Sequence, residues 1–475
     1  MKQRPVKKYL FGIIGTILFA VVAYLLPVPA SLAAFAEAGG YTGREAMIAM
    51  AALLWAIFWW VGEVLPDWCT ALILQCLWIV AAGLKFTTVF AAFSNTTVWL
   101  IVGAFSLGAA ITRTGLLTRI SLKLMHLFPA TYRGQVLALM TVGVACGPLM
   151  PSSTAKVVLG SKLACSIADL MDFDNESKGR TGLFLASWTG FVLVAPLFLS
   201  ASFMAYSLLS VLAEEHTVSW MRWFITMLPY GVILLVGMYF VIMLGYRAEK
   251  QSTFSKEKIK ERSAALGPIN RQEMITLIIM GVCLVFWILE KVTGISAGTV
   301  AIIGGVCCFA FGILDKKEIS TALPWGFILF MGVALNMGEV FNLTGISQWL
   351  LWLVEPLLTY SSSPVVILLL VFLIALAMRF VIASQTAVLT LLTSLLTPVA
   401  LSVGIQPLIP GLVVYATVSC WLMTYQNPTY MAALESMEGT IKHENTLKAA
   451  GLYLALALLA VLVSIPYWTL LGYIA

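Results

Sequence analysis

The chain has 475 residues, of which 61% are hydrophobic and only 11% charged, with a formal net charge of +6. Globular proteins average roughly 45–50% apolar and about 25% charged residues, so a soluble fold is excluded. The composition also argues against a β-barrel, whose lumen would put a polar residue at every second strand position. Window after window of about 20 residues carries few or no charges, the length a helix needs to cross a bilayer. The chain therefore reads as an all-α polytopic membrane protein with the lipid bilayer as its solvent and no nucleic-acid partner.

The chain starts with Lys2, Arg4, Lys7 and Lys8, followed by an apolar run from Tyr9 to Val28. That run exceeds the roughly 7–15 residues of a signal-peptide core and is expected to remain as the first span. Further spans are expected at 44–62, 67–85, 97–112, 181–215, 220–245, 272–292, 297–314, 325–341, 408–437 and 448–472, making 11 transmembrane helices. The eight cysteines sit in apolar segments with no CxxC pair and read as packing residues; His126, His216 and His443 lie far apart. No HExxH, P-loop or GxSxG motif stands out, so neither intramembrane hydrolysis nor ATP-driven transport has visible chemistry. The chain is expected not to be an enzyme and to need no prosthetic group.

Two long apolar stretches, 134–170 and 364–402, are each interrupted by a polar cluster: "MPSSTAKVVLG" (150–160) and "IASQTAVLT" (382–390). Each reads as a re-entrant hairpin, since irregular backbone at membrane depth is tolerated only where it faces protein or water. Charge tests this layout. With the N-terminus inside, the segment carrying Arg113, Arg119, Lys123 and Arg133 falls inside, as does the basic loop 246–271. The segment 342–378, with no Lys or Arg, falls outside; Lys316, Lys317, Lys442 and Lys448 sit on short inside loops. This places the N-terminus in the cytoplasm and the C-terminus outside a cell (inner or plasma) membrane.

"VWLIVGAFSLGAAITRTGL" (98–116) matches "WGFILFMGVALNMGEVFNLTGI" (325–346), closing on Thr114-Gly115 and Thr344-Gly345. Each match is followed by an amphipathic stretch and then a hairpin, with Ser153-Thr154-Ala155 paired to Gln385-Thr386-Ala387. The two copies cross in opposite directions by the charge count, an inverted repeat of the kind that places a transporter's binding site where broken helices meet near the midplane. Pro151 breaks its helix, and opened helix ends offer N–H groups to anions and carbonyls to cations. Ser152, Ser153 and Thr154 in one tip and Ser384, Gln385 and Thr386 in the other are thus candidate substrate ligands. "PLFLSASFMAY" (196–206), with Ser200 and Ser202, interrupts the over-long fifth span. "LMTYQNPTY" (422–430), with Thr424, Gln426, Asn427, Pro428 and Thr429, interrupts the tenth.

These features resemble the divalent anion/sodium symporter family, carriers of di- and tricarboxylates and, in some members, sulfate. The family's signature is a Ser-Asn-Thr tip in each of two opposed hairpins. Here Ser152-Ser153-Thr154 and Ser384-Gln385-Thr386 stand there, and "FSNTTVWLIVGAF" (93–105) is similar to the family's fourth helix. The resemblance implies a homodimer working as an elevator-type transporter. Its scaffold would comprise 1–133 and 272–362, joined by the cytoplasmic loop 246–271. The moving body would comprise 134–245 and 363–475. It implies that both tips and the breaks near Ser200, Thr424, Asn427 and Pro428 hold a small divalent anion. Sodium ions would lie beside the tips in coupled members, where Ser153 and Gln385 are the candidate metal ligands in place of the family's asparagines.

Lys156 has two readings: a fixed positive charge that replaces a coupling cation and favours anion exchange, or a side chain snorkelling to cytoplasmic water. Arg379 likewise reads as an outer anion contact or an outer anchor. Glu63 and Asp67 flank a turn and read as water-facing, and Glu339 reads as a structural partner in the scaffold. The function classes left open are a carrier of organic dianions such as succinate, malate, tartrate or citrate (by exchange or sodium symport), an inorganic oxyanion carrier on the same scaffold, and a membrane-embedded enzyme or receptor subunit.

Overall fold

The computed structural model describes residues 5–94, 96–212, 216, 218–248, 266–358, 363–382 and 384–475. Lys2, Arg4, Asn95, positions 249–265 of the basic loop and positions 359–362 lie outside the described residues. Among those described, the secondary structure is helical and no strand forms. Among the described residues eight helices are long and apolar enough to cross a membrane, or nine if one bent pair counts as a single span. Large apolar side chains such as Leu470 (86% exposed) and Val80 (85%) point outward. Such residues are stable in contact with lipid, where every backbone N–H must be satisfied inside its own helix.

The first half begins with α1 (Pro5–Ala20), α2 (Ala30–Ala38), α3 (Gly43–Val61) and α4 (Asp67–Val80). Then come α5 (Thr96–Thr114), α6 (Leu116–His126), α7 (Tyr132–Cys146), α8 (Ser153–Leu170), α9 (Lys178–Trp188), α10 (Phe203–Ser210) and α11 (Trp220–Gly245). The second half runs α12 (Arg271–Ile288), α13 (Ala297–Ala310), α14 (Trp325–Leu343), α15 (Ile346–Leu358), α16 (Pro364–Val381), α17 (Gln385–Ser402), α18 (Leu408–Val418), α19 (Pro428–Glu435) and α20 (Leu447–Leu470). The spans expected at 67–85 and 297–314 end early, at Val80 and Ala310. Gly83 and Gly312 follow with φ of 71° and 67°, a left-handed turn that glycine takes without steric cost and that stops a helix.

The order of elements from α5 to α11 recurs from α14 to α20. Both α5 and α14 end on Thr-Gly. Thr114 and Thr344 bond the carbonyl four residues back, at 2.9 and 2.7 Å. Gly115 and Gly345 then take φ of 74° and 72°. The chain turns there, by 69° between α5 and α6, into an amphipathic helix, α6 or α15. A helix-break-helix follows (α7/α8 and α16/α17), then a second broken helix (α9/α10 and α18/α19), then a long helix (α11 or α20).

The two halves interlock. α5 packs along α13, α11 along α20, α4 along α14, and α8 along α19. Small residues make the close approaches possible. A Cβ on Gly103 of α5 would stand 2.3 Å from the Ala301 backbone of α13, and one on Gly143 of α7 would stand 2.2 Å from the backbone of Gly190. The second contact presses the arm leading to the first tip against the first broken helix, setting the distance between them.

Candidate functional site

Four helices begin at breaks, and each starts with a polar N-cap. Ser152 caps α8, accepting from Ala155 N at 3.4 Å; Ser384 caps α17, accepting from Ala387 N at 3.3 Å. Ser202 caps α10, accepting from Met204 N at 3.2 Å; Asn427 caps α19, accepting from Tyr430 N at 3.1 Å. Capping satisfies one orphan N–H and leaves others pointing out of the helix end, where the macrodipole is positive. Three of the four breaks carry short 3-10 and π turns: Gly147–Leu149 before α8, Thr189–Leu193, Ala195–Leu197 and Leu199–Ala201 before α10, and Thr424–Gln426 before α19.

The first residues of all four helices meet at one cavity. It is lined by Ser153, Ser202, Phe203, Met204, Gln385, Asn427 and Thr429, with Val192, Tyr415 and Ser419 completing the wall. Its volume is about 20 Å³, room for one water and too little for a dicarboxylate. Hydrogen bonds stitch it shut: Ser153 Oγ to Ser202 Oγ at 3.4 Å, and Thr154 Oγ1 to Thr429 Oγ1 at 3.2 Å. Gln385 Nε2 donates to Val418 O at 2.7 Å, and Asn427 Nδ2 to Ser419 O at 3.2 Å. Behind the cavity an aromatic cluster joins the two broken helices: Trp188 lies 5.6 Å from Trp421 and 5.5 Å from Tyr430.

The structure thus brings Ser153, Gln385 and Asn427 together, and holds Thr154 and Thr386 at the edge, the latter 3.7 Å from Met204 Sδ. It does not bring the others in. Ser200 Oγ donates to Pro148 O at 2.9 Å and accepts from Trp220 Nε1 at 3.1 Å, bracing the first tip against its broken helix. Thr424 and Pro428 are exposed and do not line the cavity. Ser152 faces a separate cavity of about 510 Å³ shared with Thr112, Arg113, Met150, Pro151 and Glu318. Tyr415 and Ser419 were not singled out from the sequence. They stand one helical turn apart, and that i, i+4 pair of hydroxyls in an apolar helix was the available signal.

The two basic residues are fully buried, at 0% exposure each, so Lys156 does not snorkel and Arg379 is not an outer anchor. Lys156 Nζ donates to Gly147 O at 3.3 Å and Ala201 O at 2.5 Å. Arg379 Nη1 donates to Ile382 O at 2.6 Å, and its Nη2 donates to Gln426 O. In each repeat the cation ties a carbonyl of the hairpin break to the carbonyl just ahead of the broken helix's N-cap. Opened carbonyls of this kind are what a sodium ion would coordinate. Here they already accept from an ammonium and a guanidinium. Among the described residues no cluster of three or more His, Cys, Asp or Glu side chains could hold a metal.

The sequence profile of the sodium:sulfate symporter transmembrane region matches residues 7–474, nearly the whole chain. The chain belongs to this family. The resemblance to divalent anion/sodium symporters is borne out, and the chain is a multi-pass membrane transporter, not an enzyme. It is similar to the sodium-dependent dicarboxylate transporter SdcS of Staphylococcus saprophyticus, 24% identical over 403 residues covering 77% of this chain and 75% of the relative. It is also similar to the putative malate transporter YflS of Bacillus subtilis, 25% identical, covering 73% of this chain and 72% of that one. Among solved structures, MtrF of Neisseria gonorrhoeae, from a class of antimetabolite efflux pumps, aligns with TM-score 0.58 at 15% identity over 97% of this chain and 95% of its own. The YdaH transporter of Alcanivorax borkumensis aligns with TM-score 0.54 at 17% identity, over 82% and 88%. These two likenesses speak for the fold alone.

Proposed function

We propose that the chain is a secondary carrier that exchanges one small divalent organic anion for another, without sodium. The names of SdcS and YflS point to dicarboxylates and malate as the substrate class. Four positive helix ends and a ring of hydroxyl and amide donors suit two carboxylates separated by a short carbon chain.

The pair of buried cations, Lys156 and Arg379, carries the choice of exchange. A bound dianion would offset buried positive charge beside the breaks, which lowers the cost of carrying the loaded body through the membrane. The empty body would carry both charges through a low-dielectric barrier, which is costly. Return without a dianion is therefore suppressed, and the carrier exchanges.

The surrounding layout is part of the same proposal. It comprises 11 spans, two hairpins entering from opposite faces as an inverted repeat, a cytoplasmic N-terminus and an outside C-terminus in a cell (inner or plasma) membrane. A homodimeric scaffold (1–133 and 272–362) would carry a moving body (134–245 and 363–475). The recurring element order and the 20 Å³ cavity, which must open for a substrate to enter, support alternating access by that body.

Counterflow in proteoliposomes tests this. Labelled succinate is expected to enter vesicles preloaded with succinate, malate, tartrate or citrate at the same rate with and without sodium. A strict sodium requirement, or uptake into vesicles holding no anion, would overturn exchange. Stronger competition by sulfate than by any carboxylate would favour the inorganic-oxyanion reading instead.

A further inference from the structure

Asp67 lies where the sequence pattern suggests a water-facing turn, yet its side chain is half-buried and its Oδ2 accepts from Ser384 Oγ at 3.1 Å. Its backbone is fixed by its position as the first residue of α4 behind Pro66, with the Trp60 indole donating to its carbonyl at 3.2 Å. Ser384 is the N-cap of α17, and its hydroxyl has one proton to give. That proton goes to Asp67, while the Ser384 oxygen accepts from Ala387 N. A carboxylate from outside the 363–475 segment therefore sits on the second tip, on the cap residue next to Gln385, which lines the cavity. The first tip has no such partner among the described residues: Ser152 accepts from Ala155 N, and the nearby Thr112 hydroxyl donates to Gly108 O at 2.9 Å with Met150 Sδ 3.1 Å away.

We propose that Asp67 is a tethered stand-in for a substrate carboxylate. It takes the Ser384 hydroxyl when the second tip comes level with the α3–α4 turn, and so helps expel the bound anion at that face. This rests on the reading that Ser384 belongs to a substrate-holding tip. The two carboxylates cannot both accept the same proton, so they compete. A side chain held within reach competes at an effective concentration far above that of a free solute. The charge count puts the α3–α4 turn inside, so the effect belongs to the cytoplasmic face. When the tip moves away from α4 the contact is lost and the outer face binds substrate without this competitor. Asp67 acts as a positioning residue through Ser384, and the consequence is an affinity that differs between the two faces.

The experiment is the KM for succinate counterflow measured separately at each face of oriented proteoliposomes, for D67A, D67N and S384A and for D67A/S384A. In D67A the inside KM is expected to fall about tenfold, the scale of one charge-assisted hydrogen bond, with slower turnover and an outside KM within about twofold of the parent. D67N keeps a neutral acceptor at nearly the same volume; it is expected to fall in between and provides a second folded variant. In the S384A background the D67A substitution is expected to change nothing further. An inside KM unmoved in both D67A and D67N, with S384A impaired, overturns this inference and leaves the carrier reading standing. Exchange unaffected by S384A removes the substrate role of the tip and this inference with it.

Discussion

At the residue scale, Ser153 and Ser200 show why position matters more than residue type. Both are buried serines near a break, but Ser153 lines the cavity while Ser200 is spent on Pro148 O and Trp220 Nε1. S153A is expected to raise the KM for succinate about tenfold or more, since a hydrogen bond to a charged group is worth roughly 1.5–3 kcal/mol. S200A is expected to leave KM unchanged and lower the thermal midpoint in detergent. Counterflow kinetics and a thermal-shift series on the same preparations separate the two. Lys156→Ala strips the donor from Gly147 O and Ala201 O, and each orphaned buried carbonyl costs about 1–3 kcal/mol. Its exchange is expected to fall at least about tenfold, the fixed charge being gone; unchanged counterflow would remove the charge-replacement account. The sequence announced the hydroxyl clusters and Lys156 as out of place in an oily chain. It did not announce where Ser200 or Arg379 points, because that depends on which side of an opened helix faces the neighbouring break.

At the element scale, the breaks work because each is short, capped and held by a neighbour. Asn427 caps α19 with Tyr430 N and also reaches Ser419 O. N427A removes both bonds, so it is expected to lose about 1 kcal/mol or more of stability from the cap and also to raise KM. The glycine approaches set how closely broken helices can stand. Gly143→Leu would drive a side chain into the Gly190 backbone, and overpacking of this kind costs about 1–3 kcal/mol or more. The expected outcome is aggregation on size-exclusion chromatography, whereas Gly281→Leu, where an added Cβ meets nothing within 4 Å, stays monodisperse. Helices and breaks were legible because Pro, Gly and runs of Ser and Thr punctuate long apolar segments. The lengths of α4 and α13 were not, because an apolar run continues in sequence past the left-handed glycine that ends the helix.

At the scale of the whole molecule, hydrogen bonds join both tips to the 1–133 segment, Thr112 with Met150 Sδ and Asp67 with Ser384. If the body carrying the tips moves as a unit, joining positions 112 and 150 through introduced cysteines and a thiol-reactive crosslinker is expected to stop exchange, and cleaving the linker is expected to restore it. Undiminished exchange in the crosslinked carrier would argue for a fixed body. By itself the sequence determined that this chain lives in a bilayer, that its two halves repeat an order of elements, and that two hydroxyl-bearing breaks interrupt its apolar segments. Composition and periodicity encode those properties locally, one helix at a time. Only the tertiary structure decided which of those polar groups share a cavity, that Lys156 and Arg379 close matching gaps in the two repeats, and that Asp67 reaches a tip 317 residues away in the chain. Such contacts are set by the packing of helices distant in sequence, and no local pattern of residues records them.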